Sequence, residues 1–272
     1  MSNTTPIIAE RRPRTTRGGA LARALPPVTV IAALLVAWQL VSDFGLVEAR
    51  LLPSPVTVLD RGWEARDAIL ANAIPTLQAT AIGFSLAIVV AFTLATALDF
   101  WLPVRRALLP VLVISQTLPI IAIAPLVIMW FGFGLLPKVL LVALVTFFPL
   151  TISCLQGFAS ADSDAEKLVS SLGGSRRTVF RLVRLPSATA SVFSGLRISI
   201  TYAVVGAIFA EYAGAVHGLG VFMQVSKSAF RTDLVLAAVA VSSILTLILF
   251  GIVALIERFA TPWLRIERGQ KK

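Results

Sequence analysis

Charged residues are scarce in this sequence. Asp, Glu, Lys and Arg make up 14% of its 272 residues, against 57% apolar residues. Soluble domains carry about 25% charge, so a soluble fold of this length could not cover so much apolar surface. A lipid bilayer removes the need for a polar exterior, and the composition therefore predicts several membrane-spanning helices. Cysteine is almost absent too. The single Cys154 lies in an apolar run and excludes an internal disulfide, so it reads as a small buried hydrophobe. The single histidine, His217, sits near glycines with no cysteine or carboxylate cluster, which excludes a metal site. The same lack leaves no catalytic constellation, and neither enzyme activity nor a cofactor is expected. No Gly-x-x-x-x-Gly-Lys-Ser/Thr pattern occurs, so the chain has no usual cradle for a nucleoside triphosphate.

What is abundant is basic charge, with a formal net charge of +10. In a soluble protein that would suggest nucleic acid. In a membrane protein, basic residues collect in cytoplasmic loops and set orientation, so no nucleic-acid partner is expected. Six apolar stretches read as spans: 27–45, 76–98, 107–132, 138–158, 188–212 and 234–256. Residues 1–26 read as a disordered basic arm and 257–272 as a basic tail. Residues 56–70 read as a short amphipathic surface helix, with Pro75 opening the second span. The third span is interrupted by Pro110, Pro119 and Pro125, which implies either a kink or a discontinuous segment lining a cavity. Residues 213–233 read as a Gly-containing loop. An even number of spans puts both termini on one side. Seventeen of the 24 Lys and Arg residues fall in 1–26, 99–106, 159–187 and 257–272, six (Arg50, Arg61, Arg66, Lys138, Lys227 and Arg231) fall on the other side, and Arg197 lies within a span. This bias places the termini and the 159–187 loop in the cytoplasm.

The 159–187 loop carries the most information. Gly173-Gly174 separates two short predicted helices, Ser175 is placed to cap the second, and Pro186 is expected to end it. On that second helix Val179 and Val183 share a face, with Phe180 beside them. Arg177, Arg181 and Arg184 form a neighbouring basic stripe. An apolar knob beside an arginine stripe suits docking on another protein.

The loop resembles the conserved cytoplasmic loop of binding-protein-dependent ABC importer permeases. That motif runs Glu-Ala-Ala, three residues, Gly, nine residues, Ile-x-Leu-Pro. With its Gly on Gly173, Val183, Leu185 and Pro186 match Ile, Leu and Pro. The Glu-Ala-Ala positions fall on Lys167, Leu168 and Val169, a departure, with Glu166 one residue early. The resemblance extends over about residues 50–265, through Leu52-Pro53-Ser54-Pro55, Ser194-Gly195-Leu196-Arg197-Ile198, Ala210-Glu211-Tyr212-Ala213-Gly214 and Gly218-Leu219-Gly220. It implies an all-α, six-helix type I importer permease fold. It also implies a coupling loop formed by Leu168, Leu172, Gly173, Arg177, Val179, Phe180, Arg181, Val183, Leu185 and Pro186, docked on an ATP-binding subunit. The remaining implied partners are an extracytoplasmic solute-binding protein and a second permease copy. The branch is that of alkanesulfonate, taurine, nitrate and thiamine-precursor permeases. Gln116-Thr117-Leu118-Pro119, Trp130-Phe131-Gly132-Phe133-Gly134 and Phe147-Phe148-Pro149 look most like permeases for hydroxymethylpyrimidine-type thiamine precursors or riboflavin.

Gln116, Pro119, Trp130, Phe147 and Glu211 are the candidate path residues. Glu211 could line the path, pair at a dimer interface, or sit in water at a helix rim. Trp130 and Phe147 could stack on a flat heterocycle or serve as interfacial anchors and core. Arg197 is placed to snorkel. A stand-alone secondary transporter would need paired ionisable residues in mid-membrane or an inverted repeat, and the sequence displays neither. A scaffold for ATPases would carry an Arg-containing coupling motif, which is not visible.

Overall fold

The computed structural model describes residues 20–261. Most of the expected basic arm and tail lie outside these residues. Of their described parts, 20–26 already belong to the first helix and 257–260 to the last.

Helix α1 (Ala20–Asp43) carries Pro26 and Pro27 inside it. The connection after it folds back on its C-terminal half. Trp38 Nε1 donates to the Pro53 carbonyl, and Ser42 Oγ donates to that of Leu52.

Residues 57 onward form the second compact unit. Its helices are α3 (Arg66–Phe100), α4 (Leu102–Ser115), α5 (Ile120–Phe131), α6 (Leu135–Ala159), α7 (Ser163–Ser171), α8 (Arg176–Val179), α9 (Leu185–Gly214), α10 (Leu219–Ser228) and α11 (Thr232–Ala260), with α2 (Pro55–Glu64) leading in. Among the described residues, five helical segments are long and apolar enough to cross a bilayer, or six with α4 and α5 counted as one broken span. The expected six spans correspond to these segments.

Four boundaries differ from the sequence reading. Pro75 lies well inside the continuous α3 rather than opening it, because a proline ten residues into a helix needs only its freed carbonyl re-satisfied. Pro186 does not end a helix. A five-residue π turn, Phe180–Arg184, runs from α8 straight into α9, and the Leu185 N–H reaches back to the Phe180 carbonyl. That wider turn relieves the ring's clash with the preceding carbonyl, and Pro186 then occupies the first turn of α9, where no N–H is needed. The loop 213–233 contains a helix, α10. Of the three prolines in 107–132, Pro110 and Pro125 are carried inside helices, and only Pro119 marks a break.

The core lies where α6 meets α3 and α9. Small residues permit the close approach that packs helices in lipid. A Cβ on Gly83 would stand 2.6 Å from Val142, and one on Gly157 would stand 2.9 Å from the Ala188 Cβ. Leu98, Leu150, Cys154, Leu155 and Phe158 fill the layer below.

Candidate functional site

Three polar features stand out against this apolar bundle. The first is at the end of the bundle that carries the α7–α8 loop. Asp162 caps α7 by accepting from the Asp164 N–H, and Ser175 caps α8 by accepting from that of Thr178. Gly173 makes the turn between them at φ +83°, a left-handed backbone that favours glycine. The coupling-loop residues separate into two sets. Leu168 (62% exposed), Leu172 (80%), Gly173, Arg177 and Arg181 are turned outward, and so is Leu182. Val179, Phe180 and Val183 are buried in the chain itself. Phe180 stacks edge-on against Phe158 at 5.1 Å between centroids and tilts against Phe100 at 5.3 Å. The expected apolar knob is therefore core: its i, i+4 spacing marks a buried face as readily as a docking one. Leu185 is half-buried beside it, and Pro186 is exposed. Arg184 also leaves the expected stripe. It forks onto Glu166 (2.8 and 3.0 Å) and onto both oxygens of Asp99 (2.9 and 2.8 Å). The displaced acidic residue of the motif, Glu166, is thus spent within the chain.

The second feature is a cavity of about 510 Å³ at the α4–α5 break, within the range of small-ligand sites. The two helices bend by 99° there. The freed carbonyls at the end of α4 are taken by hydroxyls: Ser115 Oγ donates to Leu112 O (2.9 Å) and Thr117 Oγ1 to Ile114 O (2.7 Å). The cavity's polar side chains are Ser115, Gln116 and Tyr202, its rings include Phe148 and Phe209, and no charged residue lines it. Of the expected path residues, Gln116 is there. Pro119 sits in the break between two lining residues, Leu118 and Ile120. Phe147 is turned into a neighbouring groove with Val90 and Leu140, and its place is taken by Phe148, against which it packs edge-on at 5.1 Å. Trp130 is 68% exposed and outside the cavity. Tyr202 carried no motif. Its one sequence signal was four-residue spacing from Ile198, a second lining residue, on the same helix.

The third feature is at the opposite end of the bundle. Glu211 is 1% exposed. It accepts from Thr76 Oγ1 (2.9 and 3.1 Å) and from the Gly220 N–H (2.9 Å), and it lies 3.6 Å from Lys138 Nζ. Lys138 in turn donates to the His217 carbonyl at 2.7 Å. Asn72 Oδ1 accepts from the Gly218 N–H, and Thr76 Oγ1 accepts from that of Leu219. Four successive residues, 217–220, therefore have a backbone group held by side chains from α3, α6 and α9. A Cβ on Gly218 would overlap the Glu211 carboxylate. Within this chain Glu211 is sealed from the helix rim and fastens this turn. Arg197 does not snorkel but pairs with Glu257 of α11 at 3.2 Å. Both pairings join residues far apart in sequence, which is why the sequence displayed no paired ionisable residues.

The binding-protein-dependent transport system inner membrane component family matches residues 87–261, the region that holds the cavity, the loop and the turn. The chain belongs to this family. Among relatives of the permease, the formylaminopyrimidine transport permease protein ThiX of Halalkalibacterium halodurans is 35% identical over 89% of this chain and 96% of its own length. The riboflavin transport system permease protein RibX of Chloroflexus aurantiacus is 35% identical over 87% and 89%. The taurine transport system permease protein TauC of Escherichia coli is 32% identical over 87% and 88%. The permease also shares its fold with a crystal structure of an amino acid ABC transporter: TM-score 0.59, 16% identity, 72% of this chain and 95% of that one. It is thus an inner-membrane, multi-pass transport component of a binding-protein-dependent ABC importer.

Proposed function

We propose that the chain forms the substrate path of an ATP-driven importer for an uncharged, flat heterocycle of the thiamine-pyrimidine or riboflavin kind. The observation that carries this is the cavity at the α4–α5 break. A sulfonate or nitrate leaving water needs a cationic partner in an apolar site, and neither Lys nor Arg lines this one. Aromatic and aliphatic walls with one amide, one phenol and one hydroxyl suit a planar ring carrying a few hydrogen-bonding groups. The similarity to ThiX and RibX points the same way.

ATP is hydrolysed by a partner subunit. That subunit docks on the outward-facing residues of the 159–187 loop, led by Leu168, Leu172, Arg177 and Arg181. The positive-inside bias puts this loop and both termini in the cytoplasm, so the Glu211 turn faces outward, toward an extracytoplasmic solute-binding protein. Two permease copies enclose the path, and ATP-driven closure of the partner subunits switches its access.

The test is uptake by the reconstituted complex, with its solute-binding protein and ATP-binding subunit, of labelled hydroxymethylpyrimidine in competition with riboflavin and with taurine. Competition by a heterocycle and none by taurine supports the reading. Uptake of taurine with no response to either heterocycle would overturn it in favour of the anion-importing branch.

A further inference from the structure

We infer that Arg184 is the positioning residue through which movement of the coupling loop reaches the substrate cavity, with α4 as the connecting rod. This rests on the importer reading above and concerns how its two ends communicate.

Arg184 sits in the π turn between α8 and α9 and bridges two carboxylates from different elements, Glu166 of α7 and Asp99 at the end of α3. Asp99 is nearly sealed, with its side chain 3% exposed, and it also faces Arg105 of α4 at 3.6 Å. Arg105 in turn donates to the Leu155 carbonyl of α6 at 3.1 Å. One four-residue cluster therefore ties the loop helix α7 to α3, α4, α6 and the α8–α9 helix.

Helix α4 is held lightly elsewhere. Leu112 is its buried residue, and most of the others are exposed within this chain. Its base carries Arg105 and its far end carries Ser115 and Gln116, which line the cavity. Fourteen residues of helix span about 21 Å. A helix fixed at its base by the Arg105–Asp99 pair and the Arg105–Leu155 hydrogen bond, with few other contacts inside this chain, would carry a displacement of its base toward the cavity at its far end. A cleft of about 580 Å³ beside the cluster, lined by Trp101, Leu102, Ser170 and Arg176, leaves room for the α7–α8 loop to shift against the start of α4. The π turn adds to this, since such turns recur at functional positions in helices. Arginine is required chemically: its planar fork addresses two carboxylates at once, whereas a lysine ammonium is a single point of charge.

The experiment measures ATP hydrolysis and solute uptake in the same proteoliposomes, using the full complex and the variants Arg184→Met, Arg184→Lys, Asp99→Asn and Glu166→Gln. Arg184→Met and Asp99→Asn are expected to retain the ATP-binding subunit on co-purification and keep hydrolysis within about twofold, while uptake per ATP falls about tenfold. Arg184→Lys is expected to fall between these and wild type, and it decides the matter by the same ratio if Arg184→Met does not assemble. An unchanged uptake-to-hydrolysis ratio in the Arg184 and Asp99 variants would overturn the inference. So would loss of ATPase binding with a normal ratio in the complex that remains, since Arg184 would then belong to the docking face. Wild-type complex that hydrolyses ATP but takes up no solute would instead sink the importer reading, and this inference with it.

Discussion

Replacing Glu211 by alanine removes the carboxylate that fastens the turn at 217–220 and leaves Lys138, 7% exposed, as a buried cation without its counter-charge. Breaking one side of a buried ion pair costs about 3–5 kcal/mol, whereas replacing both partners by neutral residues is often close to neutral. The buried Gly220 N–H also loses its acceptor, which puts Glu211→Ala at the upper end of that range. At about 2–4 °C per kcal/mol for a chain of this size, the melting midpoint should fall by on the order of 10 °C. The protein carries its own reporter. Cys154 is its one cysteine and is buried, so a thiol-reactive fluorophore added to detergent-solubilised protein responds only as the core opens. Glu211→Gln keeps the shape but strands Lys138, and it should lose most of the same stability. Adding Lys138→Met to Glu211→Gln should recover about half of that loss, because the stranded charge is gone. An alanine variant that melts within about 2 °C of wild type, or a double variant no more stable than Glu211→Gln, would refute the fastening role.

Other consequences follow from the same geometry. Gly218→Ala should destabilise nearly as much as Glu211→Ala in the same melting assay, since its Cβ meets the carboxylate and its φ of +143° disfavours any side chain. Phe180→Ala should lower stability by about 3–5 kcal/mol by opening a cavity against Phe158 and Phe100. Leu172→Asp, at an 80% exposed position, should leave the melting midpoint unchanged and abolish co-purification with the ATP-binding subunit. Tyr202→Phe and Gln116→Ala should each raise the KM for uptake about three- to tenfold, as expected for loss of one hydrogen bond of about 1 kcal/mol, with ATP hydrolysis unaltered.

Much of this architecture was legible in the sequence because lipid leaves few alternatives: apolar runs of sufficient length must be helices. The span count, the caps at Ser175 and the turn at Gly173 follow from local rules. The boundaries missed at prolines share one physical origin. Pro75, Pro110, Pro125 and Pro186 look like breaks, yet membrane helices carry prolines when neighbouring hydroxyls or a wider turn accept the freed carbonyls. Pro119 differs from Pro110 in its surroundings, since it follows Ser115-Gln116-Thr117, whose side chains and backbone cap α4. The site was legible in parts. Gln116 was found through the family resemblance of the Gln116-Thr117-Leu118-Pro119 phrase, and Glu211 from being an ionisable residue in an apolar run. Its partners Thr76, Lys138 and Gly220 lie on α3, α6 and α10, and nothing local to Glu211 announces them. The same holds for Asp99, Glu166 and Arg184. The apolar face of α8 misled because periodicity marks a face that will be covered, and does not say whether the cover is the chain itself or a partner.

The importer reading meets its most direct test in ATP dependence. The permease, reconstituted in liposomes with its ATP-binding subunit and solute-binding protein, should accumulate labelled hydroxymethylpyrimidine only when ATP is supplied on the side that exposes the 159–187 loop, and Leu172→Asp should abolish that uptake. Accumulation that proceeds equally well without ATP, or that survives Leu172→Asp unchanged, would contradict it.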